Sequence, residues 1–231
     1  MISIQNLKKL YKGIEAVNIE NLQLNAGEII GLVGNNGAGK TTFFRLLLDL
    51  IRADNGEILS KGNNITSTED WKTYTAAYID EGFLIDYLTP EEYFYFIGKV
   101  NFLSKADVDD FLRSYQQFFD DSILQKGKYI RDFSKGNQFK IGIVAALLTK
   151  PELLILDEPF ANLDPSTQLR LVIMIKEMAV NDKMCIIISS HDINHLSEVS
   201  SRIILMEKGI IIKDIAGGET AYNEMVNYFK V

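Results

Sequence analysis

Residues 34–41, Gly34-Asn35-Asn36-Gly37-Ala38-Gly39-Lys40-Thr41, follow the pattern Gly-x-x-x-x-Gly-Lys-Ser/Thr, with an apolar run over 29–33 before them and a helical pattern over 42–50 after them. The glycines let successive backbone N–H groups turn inward around phosphates where a side chain would block the approach. The helix that follows adds the partial positive charge of its N-terminus. In such a loop Lys40 reaches the β- and γ-phosphates of a nucleoside triphosphate and the Thr41 hydroxyl holds Mg2+. Asn35, Asn36, Ala38 and Thr42 belong to the same candidate binding set. A second chemical feature is Leu153-Leu154-Ile155-Leu156-Asp157-Glu158-Pro159, an apolar run ending in two adjacent acids. A buried parallel strand delivers such acids to its C-terminal edge, where open α/β sheets bind ligands. There Asp157 is expected to hold Mg2+ through water, and Glu158 to polarise the water that attacks the γ-phosphate.

A Gly-rich turn and an acidic strand end are each ordinary alone, so the elements around them decide the reading. Strand patterns cover 2–6, 14–24, 56–59, 76–79, 153–156, 184–189, 202–206 and 210–213. Between the fourth and fifth of these the pattern turns helical. Thr89-Pro90-Glu91-Glu92 reads as an N-cap, a proline at the first helical position and a capping-box glutamate, opening a helix through Val100. A second helix is predicted over 105–119 and a third after Ser134, stopping before Pro151. The expected organisation is one domain: an α/β core over 1–86 and 151–231, interrupted by a helical lobe over 87–150.

Composition narrows the class. A chain of 231 residues, 47% hydrophobic and 24% charged, can bury one sizeable core. A net charge of −7 and a pI near 5.0 make the surface repel nucleic acid, which is not expected as a partner. The single cysteine, Cys185, lies in an apolar run and suits a buried position in a reducing cytoplasm. The N-terminus lacks a charged-then-apolar signal segment, and no run approaches the ~18 apolar residues a membrane span requires. The chain is expected neither to cross a membrane nor to be exported.

In motif order the chain resembles, over nearly its whole length, the nucleotide-binding subunit of ATP-binding-cassette (ABC) transporters. Phe133-Ser134-Lys135-Gly136-Asn137 stands where that family has its Leu-Ser-Gly-Gly-Gln signature, and Ala161-Asn162-Leu163-Asp164 resembles its D-loop. His191, in Ser189-Ser190-His191-Asp192, resembles the switch histidine, and Tyr11 resembles the aromatic that stacks on adenine. The resemblance implies a P-loop NTPase (RecA-like) core with an antiparallel β subdomain and an inserted α-helical subdomain. It also implies ATP and Mg2+ as ligands, and a homodimer in which the phosphate loop of one copy and Ser134 and Gly136 of the other sandwich each ATP. Ser134 is independently a good N-cap for a second anion-attracting helix end, and Asp164 can equally cap the helix that Pro165 opens. The sequence departs from the family at Lys135 and Asn137. The Q-loop position falls at Tyr78-Ile79-Asp80-Glu81, where Glu81, with Asp80 as the one-residue alternative, replaces a glutamine. Glu81 is thus a candidate for both metal binding and catalysis, since a carboxylate ligates Mg2+ at least as well as an amide oxygen.

His191 and His195 have the i, i+4 spacing of a helical zinc pair, but Asp192 stands where a zincin carries glutamate and no third ligand is apparent. His191 is instead expected at the γ-phosphate or the attacking water. The aromatic segment Phe83, Tyr87, Tyr93, Phe94, Tyr95, Phe96 and Phe102 enters the helical lobe, where the family docks a helix of its membrane subunit. Most of these rings must fill the lobe's own core, with Phe83 and Tyr87 the contact candidates. Two function classes remain open. One is the ATPase motor of a separate membrane permease, peripheral at the inner face of the cell membrane; the other is a cytoplasmic ABC ATPase without transport, as in iron–sulfur assembly. Transport is favoured. The signature and the acidic Q-loop resemble those of bacterial exporters, and the end of the chain soon after the final strand suggests that the regulatory domain of some importers is absent.

Overall fold

The computed structural model describes residues 1–79, 83–161 and 163–229 of the chain. Strands β1 (Ile2–Tyr11) and β2 (Ile14–Leu24) are joined by Lys12-Gly13, both at positive φ (51° and 83°), the conformation a type I′ hairpin turn needs. The predicted strand 2–6 stops short of this: β1 continues through a register irregularity beyond Gln5, with Asn6 at φ 48°, and the polar Asn6, Lys8 and Lys9 lie along it. After β3 (Ile29–Val33) and α1 (Lys40–Leu47) come β4 (Asn55–Ser60) and β5 (Asn63–Asn64), which complete an antiparallel sheet ordered β2-β1-β4-β5.

The second sheet takes β3 with β6 (Thr75–Tyr78), β7 (Leu153–Leu156), β8 (Cys185–Ser190), β9 (Arg202–Glu207) and β10 (Ile210–Ala216), in the order β10-β9-β3-β8-β7-β6. All its pairings are parallel except that of the edge strand β10. Strands β3, β7 and β8 are buried along their whole length, which is why they read as continuous apolar runs. Their alternate residues divide between two cores. Leu153, Ile155, Cys185 and Ile187 face Phe43 and Phe44 of α1 and the antiparallel sheet; Leu154, Leu156, Ile186 and Ile188 face the helices of the other side. Burial pushes the Cys185 thiol up to about 12.

Between β6 and β7 the chain forms α2 (Pro90–Val100), α3 (Lys105–Ser114), α4 (Gln116–Phe119) and α5 (Lys135–Leu147). Thr89 and Glu92 close the predicted capping box: the Glu92 N–H donates to Thr89 Oγ1 at 3.3 Å and the Thr89 N–H to Glu92 Oε2 at 2.8 Å. The single helix predicted over 105–119 is two, divided at Tyr115 (φ −103°, ψ 7°). Val108 and Leu112 of the first and Phe118 and Phe119 of the second are all buried, the two rings at 5% and 1% exposure. On the core side follow α6 (Pro165–Asn181), α7 (Ile193–Val199) and α8 (Glu219–Phe229). Asp120, just beyond α4, ties the helices together, accepting from Lys140 Nζ of α5 at 3.0 Å and pairing with Arg170 of α6.

The aromatic segment divides. Tyr93 and Phe94 are core residues, while Phe83, Tyr87, Phe96 and Phe102 are exposed. Among the described residues no helix is long and apolar enough to cross a membrane.

Candidate functional site

Strands β3, β8 and β7 are neighbours and parallel, so their C-terminal ends bring the segment after Val33, the Ser190-His191 step and the Asp157-Glu158 pair to one edge of the sheet. The loop leaving β3 accepts only glycine at two places. A Cβ on Gly34 would stand 2.4 Å from the Met206 carbonyl oxygen, and one on Gly39, at φ 106°, 2.4 Å from that of Ala16. The turn is closed by the Ala38 N–H donating to Asn35 O at 3.0 Å, and tied to the β9–β10 hairpin by the Gly209 N–H donating to Ala38 O at 2.9 Å. Among the described residues no side chain caps α1 at Gly39, so the N–H groups of its first turn remain directed at whatever the loop encloses. Asn35, Asn36 and Gly37 are exposed, Thr41 and Thr42 half-buried, and Lys40 buried. The Lys40 ammonium folds back over the loop, donating to Gly34 O at 2.6 Å and reaching Asn35 O at 3.5 Å.

The acids meet this loop directly. Thr41 Oγ1 donates to Asp157 Oδ2 at 2.8 Å, and Lys40 Nζ lies 3.9 Å from Glu158 Oε1. The other oxygen of Asp157, Oδ1, accepts from the Ser189 hydroxyl, which itself accepts from the Glu158 N–H at 2.9 Å. Glu158 adopts φ 50°, a left-handed conformation that non-glycine residues adopt rarely. Its Oε2 accepts from the His191 N–H at 3.3 Å and lies 2.9 Å from His191 Nδ1. A hydroxyl and a carboxylate thus converge beside the glycine-rich loop. This hard-oxygen donor set suits Mg2+, whose shell is usually completed by phosphate oxygens and water.

The remaining predicted residues sit apart from this cluster. Tyr11 is exposed at the end of β1, with Lys9 Nζ 5.6 Å from its ring centroid. Ser134 is the N-cap of α5, accepting from the Asn137 N–H at 3.3 Å, and Gly136 is in the first turn of that helix. Buried Gln138 braces the approach to it, its amide donating to the carbonyls of Ile130 and Phe133 at 3.2 and 3.1 Å. Asp164 is the cap of α6. Its carboxylate accepts from the Ser166 and Thr167 hydroxyls, both at 2.6 Å, and from both their N–H groups, which holds its pKa far below the usual carboxylate range. His195 turns away from His191 and stacks on Phe160 at 4.9 Å between centroids. Glu81, with its alternative Asp80, and the D-loop residue Asn162 lie outside the described residues.

Ser189 is the site residue that motif reading missed. The only sequence signal is a polar pair, Ser189-Ser190, ending an otherwise apolar strand.

Comparisons with known proteins agree on one family. The ABC transporter family model matches residues 17–161, more than half of the chain. An uncharacterized ABC transporter ATP-binding protein of Bacillus subtilis (strain 168), YcbN, is 30% identical over 98% of this chain and 74% of its own length. A probable sulfate/thiosulfate import ATP-binding protein of Chlorella vulgaris, CysA, is 30% identical over 92% of this chain and 89% of its own. Among solved structures, the dimeric, post-hydrolysis ATP-binding cassette MJ0796 bound to ADP and Pi superposes with a TM-score of 0.82 at 21% identity, covering 94% of this chain and 98% of that one.

Proposed function

Because this chain belongs to the ABC transporter ATP-binding family, we propose that the β3–β8–β7 edge binds Mg-ATP, that Glu158 drives its hydrolysis, and that two copies closing around two nucleotides power a separate membrane permease. The observation that carries this reading is the 2.8 Å hydrogen bond from Thr41 to Asp157, which joins a loop shaped for phosphates to a strand-end acid pair. On ATP binding, the N–H groups from Gly34 to Thr42 face the phosphates, and Lys40 leaves its own loop carbonyls for the β- and γ-oxygens. Thr41 and Asp157 would hold the cation, Asp157 through water, with Glu81 as a further candidate ligand. The chemistry that Mg2+ would supply there is neutralisation of charge on the phosphate oxygens. Glu158 takes the proton of the attacking water. His191 donates its backbone N–H to Glu158 Oε2 and brings Nδ1 to the same oxygen, so it orients the base and stands ready beside the γ-phosphate.

Tyr11 supplies the stacking face for adenine. Ser134 and Gly136 present the N-terminus of α5 to the nucleotide of the opposite copy, and Asp164 braces the D-loop through its cap. The lobe over 87–150 carries this signature, and the core over 1–86 and 151–231 carries the rest of the site. The exposed rings of Phe83 and Tyr87 receive the permease, which keeps the subunit peripheral at the inner face of the cell membrane. The export reading rests on the Phe133-Ser134-Lys135-Gly136 segment and on the acids at 80 and 81, against a relative named for import.

Glu158→Gln tests the reading. It preserves shape but removes the base, so ATP affinity should persist while hydrolysis slows by about a thousandfold or more and an ATP-dependent dimer accumulates in sedimentation. Hydrolysis at the wild-type rate would refute the assignment of Glu158.

A further inference from the structure

Ser189 has no solvent exposure and stands in β8 opposite Leu32 of β3, yet its hydroxyl serves β7, the neighbour on the other side. The direction of its bonds follows from its partners. The Glu158 N–H can only donate and the Asp157 carboxylate can only accept, so Ser189 Oγ accepts from the first at 2.9 Å and donates its proton to Oδ1 of the second. Asp157 is therefore bracketed by two hydroxyls, Thr41 on Oδ2 and Ser189 on Oδ1. The brackets differ in kind. The Thr41 hydroxyl sits half-buried at the loop, with lone pairs available to a cation, whereas Ser189 lies buried behind the carboxylate. The same hydroxyl ties the N–H of Glu158, whose φ of 50° calls for such a restraint. Ser190 has a separate task, accepting from the Asp192 N–H at 3.0 Å where the chain turns into α7.

We propose that Ser189 is a positioning residue: it sets the Asp157 carboxylate for the divalent cation and the Glu158 backbone for the attacking water. The inference rests on the Mg-ATP reading above. Its test is binding of ADP and of Mn2+ to the full chain, with Mn2+ followed by electron paramagnetic resonance, in wild type, Ser189→Ala and Ser189→Thr. Ser189→Ala leaves Asp157 Oδ1 and the Glu158 N–H without their partner. It should raise the Mn2+ concentration for half-saturation of the ADP complex by about tenfold, with nucleotide affinity in chelator unchanged. Ser189→Thr keeps the hydroxyl and should stay within about threefold of wild type. Wild-type metal dependence in Ser189→Ala, or equal losses in the Ala and Thr variants, would overturn the inference. Wild type that binds no nucleotide would instead overturn the underlying reading. Should Ser189→Ala be too unstable to assay, Ser189→Cys keeps the size with only a weak donor, and wild-type metal dependence there overturns the inference equally.

Discussion

Replacing Phe83 and Tyr87 together by alanine separates a docking surface from a core. The two side chains are 47% and 70% exposed, so truncation forfeits about half the burial of one ring and less of the other, together about 1 kcal/mol. Tyr87 also lies under the Arg131 guanidinium, 4.6 Å from its ring centroid, an exposed cation–π contact contributing about 0.5–1 kcal/mol. The Tyr93 hydroxyl donates to the main-chain oxygen of Phe83 at 3.3 Å, and that bond survives the change of side chain. The total is about 2 kcal/mol, against about 3–5 kcal/mol for Phe94→Ala, whose ring is fully buried. Urea unfolding of the double variant beside Phe94→Ala measures the difference, and co-purification with the proposed membrane permease measures docking. The double variant should lose about 2 kcal/mol, less than Phe94→Ala, bind ATP normally and lose the proposed permease. A loss of stability equal to that of Phe94→Ala would refute the surface assignment, and full recovery of the permease would refute the docking reading.

Gly142→Ala should destabilise the protein despite the higher helix propensity of alanine. The new Cβ would lie 2.1 Å from the ring of Tyr78, itself held edge-on by Phe139 at 4.7 Å. Overpacking of about 1–3 kcal/mol then exceeds the propensity gain of about 1 kcal/mol, which thermal unfolding checks. Asp164 should govern part of the acid sensitivity. Its folded pKa lies below the unfolded value, through the Ser166 and then the Thr167 hydrogen bonds, so the stabilisation is complete above about pH 4 and is lost as pH falls through the folded value. Asp164→Asn should flatten the acid limb of a stability–pH curve, and an unchanged limb would show that the cap contributes nothing.

The phosphate loop and the acid pair could be read from sequence because their chemistry is local: glycines at fixed intervals, a lysine and a threonine at a helix start, and acids at the end of an apolar run. The capping box at Thr89 was readable for the same reason. The break at Tyr115 was not, since no glycine or proline marks it. Ser189 escaped for a different reason. Its hydroxyl acts on residues of another strand, and only the adjacency of β7 and β8 reveals the partnership. The Asp120 junction with Lys140 and Arg170 is hidden in the same way, as a charged cluster drawn from three separate segments. His191 could be placed at a strand end from sequence, but its approach to Glu158 needed the folded edge of the sheet.

The central claim is that the loop over 34–42 and the acids at 157 and 158 form one ATP-hydrolysing site. Steady-state hydrolysis of Mg-ATP by wild type and by Lys40→Ala tests it most directly. Lys40 spans the loop carbonyls and Glu158, with Nζ 2.6 Å from Gly34 O and 3.9 Å from Glu158 Oε1. The account predicts measurable turnover in wild type and its near abolition in Lys40→Ala, with the fold retained by circular dichroism. Turnover by Lys40→Ala at the wild-type rate would contradict it.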